Sequence, residues 1–262
     1  MQGVTAAKIQ IVGLGKTYRS RDGEVVALEG VDLAVDTGEF VTIVGPSGCG
    51  KSTLLYILAG FLPPNTGTVR VDGQPVRGPG VDRGIVFQEY ALFPWLTVFQ
   101  NLTYGLEMTG VPRGEREETA RRYVKLIGLE GFERRFPREL SGGMKQRVAI
   151  ARTLAYDPDI LLLDEPFGAL DAQTRELMQD ELLRIWEATG KTVVMITHDV
   201  SEAVYLSRRV AVMSRRPGRI VREFPVDLDK SQGRERTVLS QRYTDLRNEV
   251  WLTVREEVLK AA

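Results

Sequence analysis

A run of glycine, lysine and hydroxyl residues in the first quarter of the chain has the spacing of a phosphate-binding loop. Gly45 and Gly50 are separated by four residues, and Lys51 and Ser52 follow directly. Glycines let the backbone direct successive N–H groups at phosphate oxygens, Lys51 reaches the β- and γ-phosphates, and the Ser52 hydroxyl ligates Mg²⁺. The spacing therefore predicts a nucleoside triphosphate site built from Gly45, Pro46, Ser47, Gly48, Cys49, Gly50, Lys51, Ser52 and Thr53.

The flanking sequence supplies the elements that this loop needs. Apolar and β-branched residues at 40–44 predict a buried strand before it, and residues 51–59 have helical spacing without a breaker. A helix that begins near Lys51 directs the positive end of its dipole at the same anion. The alternative is a chance glycine-rich turn, but strand, loop and helix occur in the order that phosphate binding requires.

Two adjacent carboxylates form a second candidate centre. Asp164 and Glu165 follow the apolar run 160–163, which predicts a buried parallel strand. Neighbouring carboxylates are costly to keep ionised together unless a cation or water justifies them, and ligands of open α/β sheets bind at this end of the strands. We therefore expect Asp164 to hold Mg²⁺ and Glu165 to orient or deprotonate an attacking water.

The local pattern does not assign a function to three further residues and one short segment. Tyr18 ends a predicted strand and either packs on the sheet or stacks on a purine base. Gln88 follows another predicted strand and has the character of an ordinary polar loop residue. His198, the only histidine, is of a type that is usually structural. The segment Ser141-Gly142-Gly143 opens a predicted helix and is either a common cap or a second anion site.

Composition restricts the class of protein. The chain has 262 residues, of which 43% are hydrophobic and 27% charged, as in ordinary soluble globular proteins. Its 35 basic and 35 acidic residues cancel, so no bulk field attracts nucleic acid or an anionic membrane. Residues 1–10 lack the pattern of a signal peptide, and no apolar run reaches the roughly 18 residues of a membrane span. We expect a chain that is neither exported nor membrane-spanning.

The single cysteine, Cys49, excludes an internal disulfide and a metal site made of cysteines. Its position near a helix N-terminus would activate the thiol, whereas the simpler interpretation is a small residue that fits the loop.

The remaining pattern predicts an α/β protein with an inserted helical segment. Residues 98–140 are helical in pattern, and Asp72-Gly73 is a hairpin signal. Further strands are predicted at 8–18, 25–35, 84–87, 192–197, 210–213 and 220–224. After Asp227 we expect a helix that packs on the body of the protein through Leu239, Tyr243, Leu246, Val250, Val254 and Val258.

The order of these motifs resembles that of the ATP-binding subunit of ABC transporters over nearly the whole chain. The motifs that carry the resemblance are the phosphate loop, Gln88, Leu140-Ser141-Gly142-Gly143, residues 160–165, Ala169-Leu170-Asp171 and His198. Three surface segments, residues 76–82, Phe93-Pro94-Trp95 and Arg216-Pro217-Gly218, resemble the nitrate, taurine and alkanesulfonate importer branch.

The resemblance implies a fold and a domain division. The fold is α/β, a RecA-like P-loop core with an antiparallel β subdomain and an inserted α-helical subdomain. Residues 1–262 would form one ABC ATPase domain, with residues 1–88 and 156–226 as the nucleotide-binding core and its β subdomain. Residues 89–155 would be the helical subdomain with the signature helix, and residues 227–262 a C-terminal helical extension.

The resemblance also implies roles for the residues left open above. Tyr18 would stack on adenine, Gln88 would reach Mg²⁺ and the attacking water, and His198 would contact the γ-phosphate. Together with Lys51 and Glu165, Gln88 and His198 would form the catalytic group, and the Mg²⁺ ligands would be Ser52, Gln88 and Asp164.

Partners follow from the same resemblance. Two head-to-tail copies would each close one ATP between them, with Ser141, Gly142 and Gly143 gripping the γ-phosphate held by the other copy and Asp171 linking the copies. Two transmembrane permease subunits would bind near Phe93, Pro94 and Trp95, and an extracytoplasmic solute-binding protein would act indirectly. Nucleic acid would not be a partner. The subunit would lie peripherally on the cytoplasmic face of the inner membrane and drive uptake of a small anionic solute.

Other functions share parts of this pattern. Within the family, the alternatives are another substrate or an exporter, although residues 132–139 resemble importers, which lack the extra acidic loop of exporters. Soluble ABC proteins that act on DNA or ribosomes tend to have tandem cassettes or long coiled coils, which this length does not accommodate. A GTPase switch or a kinase would share the phosphate loop but gives no reason for residues 140–146.

Overall fold

The computed structural model describes residues 7–20, 23–168 and 170–260. These divide into two compact units, Met1–Gly80 with Ile185–Ala262, and Val81–Arg184. Residues 1–6, Ala169 and residues 261–262 lie outside the described residues. So do Arg21 and Asp22, which belong to the turn expected between the predicted strands 8–18 and 25–35.

Strands and helices are numbered in chain order within the described residues. The strands are β1 Ile9–Ser20, β2 Gly23–Val35, β3 Phe40–Val44, β4 Thr66–Val71, β5 Gln74–Pro75, β6 Arg83–Val86, β7 Ile160–Asp164, β8 Thr192–Thr197, β9 Arg209–Met213 and β10 Ile220–Pro225. The helices are α1 Lys51–Leu58, α2 Val98–Met108, α3 Arg113–Leu126, α4 Gly142–Ala155, α5 Ala172–Thr189, α6 Val200–Leu206, α7 Arg234–Leu239 and α8 Gln241–Leu259.

An antiparallel sheet in the first unit has the strand order β2-β1-β4-β5. Its alternating residues direct one apolar face inward, as Ile9, Ile11 and Leu33 are buried. The hairpin predicted at Asp72-Gly73 joins β4 to β5, and both turn residues have positive φ angles of 49° and 73°. A two-residue turn of this kind follows the natural twist of paired strands, which explains the choice of residues.

Four neighbouring strands of the first unit have the order β10-β9-β3-β8, with β3 parallel to both β8 and β9. Every residue of β3 and β8 is buried, as expected for parallel strands whose two faces are both covered. Val44, the last residue of β3, pairs with Thr197 on one side and Val212 on the other. The segments that follow these three residues therefore leave from one edge.

The second unit combines the parallel strand pair β6 and β7 with helices. Helices α2, α3 and α4 pack on one another, and a short 3-10 turn at Pro137–Glu139 precedes α4. Buried Leu102 of α2 and Val148 of α4 contribute to this core. Among all described residues, none of the helices has the length and apolar character needed to span a membrane.

The C-terminal segment differs from the single packed helix that the sequence predicts. It forms two helices, because Ser240 ends α7 and caps α8 by accepting a hydrogen bond from the Tyr243 N–H at 3.2 Å. Only the middle of the predicted stripe is buried, at Tyr243, Leu246 and Val250, where α8 lies against α6 and β9. Leu239 is 84% exposed and Val258 49% exposed, so both ends of the stripe face outward.

Candidate nucleotide-binding site

The predicted phosphate loop leaves β3 at the carboxyl end of the parallel strands in the first unit. Gly45 follows Val44, whose register partner in β8 is Thr197, so the loop and His198 begin at the same edge. On the other side of β3, Val212 of β9 is the partner, and the segment 214–219 leaves from the same edge. Ligands of open α/β sheets bind at this edge, so the strand register brings three candidate segments to one place.

The loop ends at a helix whose N-cap residue is a glycine. Gly50 is the N-cap of α1 with φ 111°, and as a glycine it has no side chain with which to cap the helix. A Cβ at Gly50 would lie 2.8 Å from Leu28 Cδ2 and 2.9 Å from the Ala27 carbonyl oxygen, so glycine is required twice over. The first turn of α1 contains no acidic residue. The helix dipole and a glycine N-cap together favour an anion at this end.

Lys51 is buried within the loop that it serves. Its Nζ donates to the carbonyl oxygens of Gly45 at 2.8 Å and Pro46 at 3.0 Å, and only 6% of the residue is exposed. An ammonium has three donors, and its third contact, Cys49 Sγ at 4.0 Å, is a weak acceptor. One of the three donors therefore has only a weak acceptor within the chain, which is consistent with the predicted contact to a phosphate oxygen.

Cys49 is packed into the base of the loop. The side chain is 1% exposed, and burial raises the pKa of its thiol, although the Lys51 charge opposes this effect. A thiol reacts through its thiolate form and must be accessible to the reagent. The raised pKa lowers the thiolate fraction of Cys49, and burial restricts access to its sulfur. Of the two interpretations that the sequence leaves open, the structure favours a small residue that fits.

Tyr18 lies beside the helix that follows the phosphate loop. Its hydroxyl is 3.2 Å from Thr53 Oγ1, its side chain is exposed, and the Lys16 ammonium is 5.6 Å from its ring centroid. An anchored hydroxyl with an exposed ring is compatible with stacking on a base.

His198 is exposed directly after β8, and the segment behind it is tightly capped. The Asp199 carboxylate accepts hydrogen bonds from the N–H groups of Ser201 at 2.8 Å and Glu202 at 3.1 Å and so caps α6. His198 also lines a cavity of about 590 Å³ whose far wall is α8, with Arg247 and Trp251.

In the second unit, the predicted carboxylates and Gln88 share a strand edge. Strand β6 is parallel to β7, and Val86 is paired with Leu163. Gln88 and Glu165 each lie two residues beyond that pair, and Asp164 lies one residue beyond it. The register thus brings the ends of the two strands that carry these residues to one edge.

The backbone at Glu165 is unusual for a non-glycine residue. Its φ angle is 44°, in the left-handed region, and the Gly168 N–H donates to its carbonyl at 3.2 Å. Asp164 is 3% exposed, whereas Glu165 is partly exposed. Left-handed non-glycine residues cost energy and concentrate at functional sites, so this geometry supports a functional role for the second carboxylate.

The second predicted anion site opens helix α4. Ser141 Oγ caps the helix by accepting from the Met144 N–H at 3.3 Å, which bears out the structural interpretation. A hydroxyl that accepts one hydrogen bond still has its own proton to donate. The helix has 14 residues and no acidic residue in its first turn, and Ser141 is exposed while Gly142 is partly exposed and Gly143 buried. Capping and anion binding are therefore compatible.

Asp171 caps helix α5. Its Oδ1 accepts from the Thr174 N–H at 3.0 Å, and this hydrogen bond lowers the pKa of the exposed Asp171 carboxyl. The neighbouring motif residue Ala169 lies outside the described residues.

The loop around Trp95 depends on a residue that the sequence did not single out. Asn101 is fully buried, and its Nδ2 donates to the carbonyls of Phe93 at 3.2 Å and of Leu96 and Thr97 at 3.0 Å each. Its Oδ1 accepts from the Phe93 N–H at 3.0 Å. Trp95, which this loop carries, is 69% exposed. An amide residue on the otherwise apolar face of α2 was the available signal.

The oxygen donors of the predicted metal ligands fit Mg²⁺, an ion that phosphate and water help to coordinate. The predicted ligands Ser52, Gln88 and Asp164 offer hard oxygen atoms, which Mg²⁺ prefers. The described part of the chain contains no cluster of three or more histidine, cysteine or acidic residues able to hold a metal. A Mg²⁺ ion completed by phosphate oxygens and water needs no such cluster.

These features define a P-loop nucleotide-binding protein, and comparison with known proteins identifies its family. A family model described as ABC transporter matches residues 28–168. The chain is 52% identical over 231 residues to the nitrate import ATP-binding protein NrtD of Synechocystis sp., covering 87% of each chain. It is 49% identical over 254 residues to the taurine import ATP-binding protein TauB of Burkholderia pseudomallei, covering 97% of this chain and 98% of that protein.

A solved structure gives the same result. The dimeric post-hydrolysis structure of the ATP-binding cassette MJ0796 bound to ADP and Pi has a TM-score of 0.74 and 36% identity. The match covers 83% of this chain and 98% of that one. The chain belongs to the ABC transporter family. The predicted fold class and the resemblance to ABC ATP-binding subunits are confirmed.

Proposed function

We propose that this chain is the ATP-hydrolysing subunit of an ABC importer for a small anionic solute of the nitrate, taurine or alkanesulfonate type. The names of the two import relatives, each about half identical to this chain, support the direction of transport and the class of solute. The division into core, helical subdomain and C-terminal extension that the sequence suggests is part of the same proposal.

One observation supports the assembly most directly, namely that the chain offers two helix ends to an anion. The first is α1, whose N-cap after the phosphate loop is a glycine, and the second is α4 with its Ser141 hydroxyl. In the proposed homodimer, each ATP lies between the phosphate loop of one copy and Ser141, Gly142 and Gly143 of the other. Asp171 adds a contact between the copies. The dimeric state of the solved relative supports this arrangement.

The phosphates are bound by backbone N–H groups of the loop and by Lys51, while Tyr18 stacks on the adenine. Ser52, Asp164 and Gln88 are the proposed Mg²⁺ ligands. When bound, Mg²⁺ neutralises charge that develops on the phosphate oxygens.

Hydrolysis requires an oriented water. Glu165 is the proposed base or orienting group, Gln88 contacts the same water, and His198 contacts the γ-phosphate. The left-handed backbone of Glu165 supports this assignment, because strain of that kind concentrates at reacting positions.

The cycle then follows from charge. ATP makes its second set of contacts only in the closed dimer, so it shifts the equilibrium toward closure by that difference in affinity. Hydrolysis and phosphate departure remove the charge that both helix ends bind, and the dimer opens.

Opening and closing would be passed to two permease subunits. The exposed Trp95, on a loop anchored through Phe93 and Asn101, is the proposed contact. An extracytoplasmic solute-binding protein completes the proposed complex, and the ATPase lies peripherally on the cytoplasmic face of the inner membrane.

Replacement of Glu165 by glutamine tests the proposal. We expect Glu165→Gln to keep ATP affinity, to lose hydrolysis by roughly 10²- to 10⁴-fold, and to form a long-lived dimer with Mg-ATP in sedimentation experiments. Glu118→Gln, at an exposed position on α3, is the matched control and should behave as the wild type. Wild-type hydrolysis by the Glu165 variant, or monomers under all conditions including with the membrane subunits, would refute the proposal.

The solute class needs the complete transporter. With permease subunits and solute-binding protein reconstituted in liposomes, nitrate, taurine or an alkanesulfonate should stimulate ATP hydrolysis, whereas a neutral sugar should not. Stimulation by the sugar alone would leave the ATPase assignment intact and overturn the solute class.

A further inference from the structure

The loop between β9 and β10 contacts the phosphate loop. The Arg216 guanidinium donates two hydrogen bonds to the carbonyl oxygen of Gly48, from Nε at 3.1 Å and from Nη2 at 2.8 Å. These residues are 168 positions apart in the chain. Paired donors from a planar guanidinium determine direction as well as distance.

A second contact of the same loop lies one peptide further along. Gly218 packs so closely on the phosphate loop that a Cβ would lie 2.3 Å from the Cys49 carbonyl oxygen. The Gly218 N–H donates to the Ala27 carbonyl at 2.9 Å, and its own carbonyl accepts from the Glu29 N–H at 3.1 Å. Two consecutive peptides of the phosphate loop are therefore in contact with a segment that is tied to β2.

The loop that carries Arg216 is itself well ordered by hydrogen bonds. Ser214 Oγ donates to the carbonyl oxygen of Pro217 at 3.0 Å and accepts from the Arg219 N–H at 3.0 Å. A backbone hydrogen bond from the Ser214 N–H to the Arg219 carbonyl, at 2.8 Å, closes the turn. Arg216 is thus held on a rigid base rather than on a free loop.

Gly48 is a position of the phosphate loop with little conformational restraint of its own. It is exposed and has a φ angle of 74°, and its peptide closes a turn in which the Cys49 N–H donates to the Pro46 carbonyl at 3.3 Å. Because a peptide is planar, fixing the Gly48 carbonyl also fixes the direction of the Cys49 N–H and with it the turn that this N–H closes to Pro46. Glycine-rich backbone otherwise loses much conformational freedom when it binds a ligand.

We propose that Arg216 is a positioning residue that holds the phosphate loop in its nucleotide-accepting conformation through the Gly48 carbonyl. This inference rests on the proposed nucleotide binding and adds a residue to it. Since the phosphate loop would bind ADP and ATP alike, loss of Arg216 weakens the binding of both nucleotides. Chemistry at the γ-phosphate is affected little once nucleotide is bound.

The experiment compares Arg216→Ala and Arg216→Lys with Arg215→Ala by calorimetry with Mg-ATP and Mg-ADP. Arg215 is exposed and next in sequence, and Arg215→Ala removes the same charge without touching the Gly48 contact. We expect Arg216→Ala to weaken the binding of both nucleotides by about tenfold. The KM for ATP hydrolysis should rise by about as much, and kcat should stay within about twofold of the wild-type value. Arg216→Lys keeps the charge but loses the paired donors, so its nucleotide affinity should lie between those of the wild type and Arg216→Ala. The affinity of Arg215→Ala should stay within about twofold of the wild-type value.

Several outcomes would overturn the proposal. Unchanged affinity in Arg216→Ala would show that the residue has no role in nucleotide binding. An equal loss of affinity in Arg215→Ala would show that only the positive charge matters. A loss confined to ATP would point to a direct contact of Arg216 with the γ-phosphate. If Arg216→Ala fails to fold, Arg216→Lys decides, because positioning requires weaker binding than wild type and charge alone requires equal binding. Absence of nucleotide binding in the wild-type protein would instead refute the proposed function itself.

Discussion

The Lys51 ammonium donates a hydrogen bond to the carbonyl oxygen of Gly45 at 2.8 Å, across the loop that the two residues delimit. The lysine is therefore oriented by the loop itself. A side chain held in this way loses little rotamer freedom when phosphate arrives, which favours tight binding.

Lys51→Ala should abolish measurable nucleotide binding. The change removes a buried cation that would contact phosphate and also the internal brace to Gly45 and Pro46, so we expect at least a hundredfold loss of affinity. Calorimetry with Mg-ATP measures it, with circular dichroism to verify folding. Lys125→Ala, on the exposed face of α3, is the control, and an unaltered affinity in the Lys51 variant would show that this loop does not bind phosphate.

Trp95→Ala should separate hydrolysis from assembly. The indole is 69% exposed, so its removal costs the isolated subunit little stability and leaves basal ATP hydrolysis within about twofold. Tryptophans are enriched among interface hot spots, whose loss costs about 2 kcal/mol or more, so co-purification with the permease subunits should fall by more than about tenfold. Trp251→Ala, at the 50% exposed tryptophan of α8, should co-purify normally. Equal retention of both variants would mean that Trp95 is not a contact.

Cys49 should resist thiol reagents in the native protein. Burial excludes the reagent and raises the pKa of the thiol, so little thiolate exists near neutral pH. We expect labelling at least a hundredfold slower than in denaturant, measured by the absorbance of released aromatic thiolate. Native labelling at a rate close to that in denaturant would instead indicate a loop that opens readily and exposes the thiol.

Lys230 predicts a pH dependence of stability. Its ammonium donates to the carbonyls of Leu206 at 3.1 Å and Ser207 at 2.9 Å, and burial lowers the pKa of Lys230 to about 8 from 10.5, although the Glu187 charge opposes the shift. Between these pKa values the unfolded chain keeps a proton that the folded chain has lost. Stability should therefore rise with pH across this window, by at most about 1.4 kcal/mol per pH unit.

Urea unfolding at about pH 7.5 and about pH 9.5 measures this slope in the wild type and in Lys230→Met, which keeps the aliphatic stem but cannot titrate. The difference in slope between the two proteins isolates the lysine from all other groups. Identical slopes would show that Lys230 keeps its ordinary pKa in the folded state.

Much of the fold followed from local pattern. The continuous apolar runs at 40–44 and 192–197 form β3 and β8 at those positions, and the Asp72-Gly73 turn forms the predicted hairpin. The C-terminal stripe was harder, because its helical period is correct in α8 but does not reveal where Ser240 interrupts it. Nor does the pattern reveal which part is covered by α6, since burial depends on what a helix meets.

The phosphate loop could be predicted from contiguous residues, because its strand, glycines, lysine and helix follow one another directly in the chain, from β3 to α1. Tertiary structure alone decided which strand ends meet, as in the pairing of Val44 with Thr197 and of Val86 with Leu163. It also decided that Arg216 reaches Gly48 and that Asn101 anchors the loop of Trp95. Such contacts depend on strand register and helix packing, which no single stretch of sequence encodes.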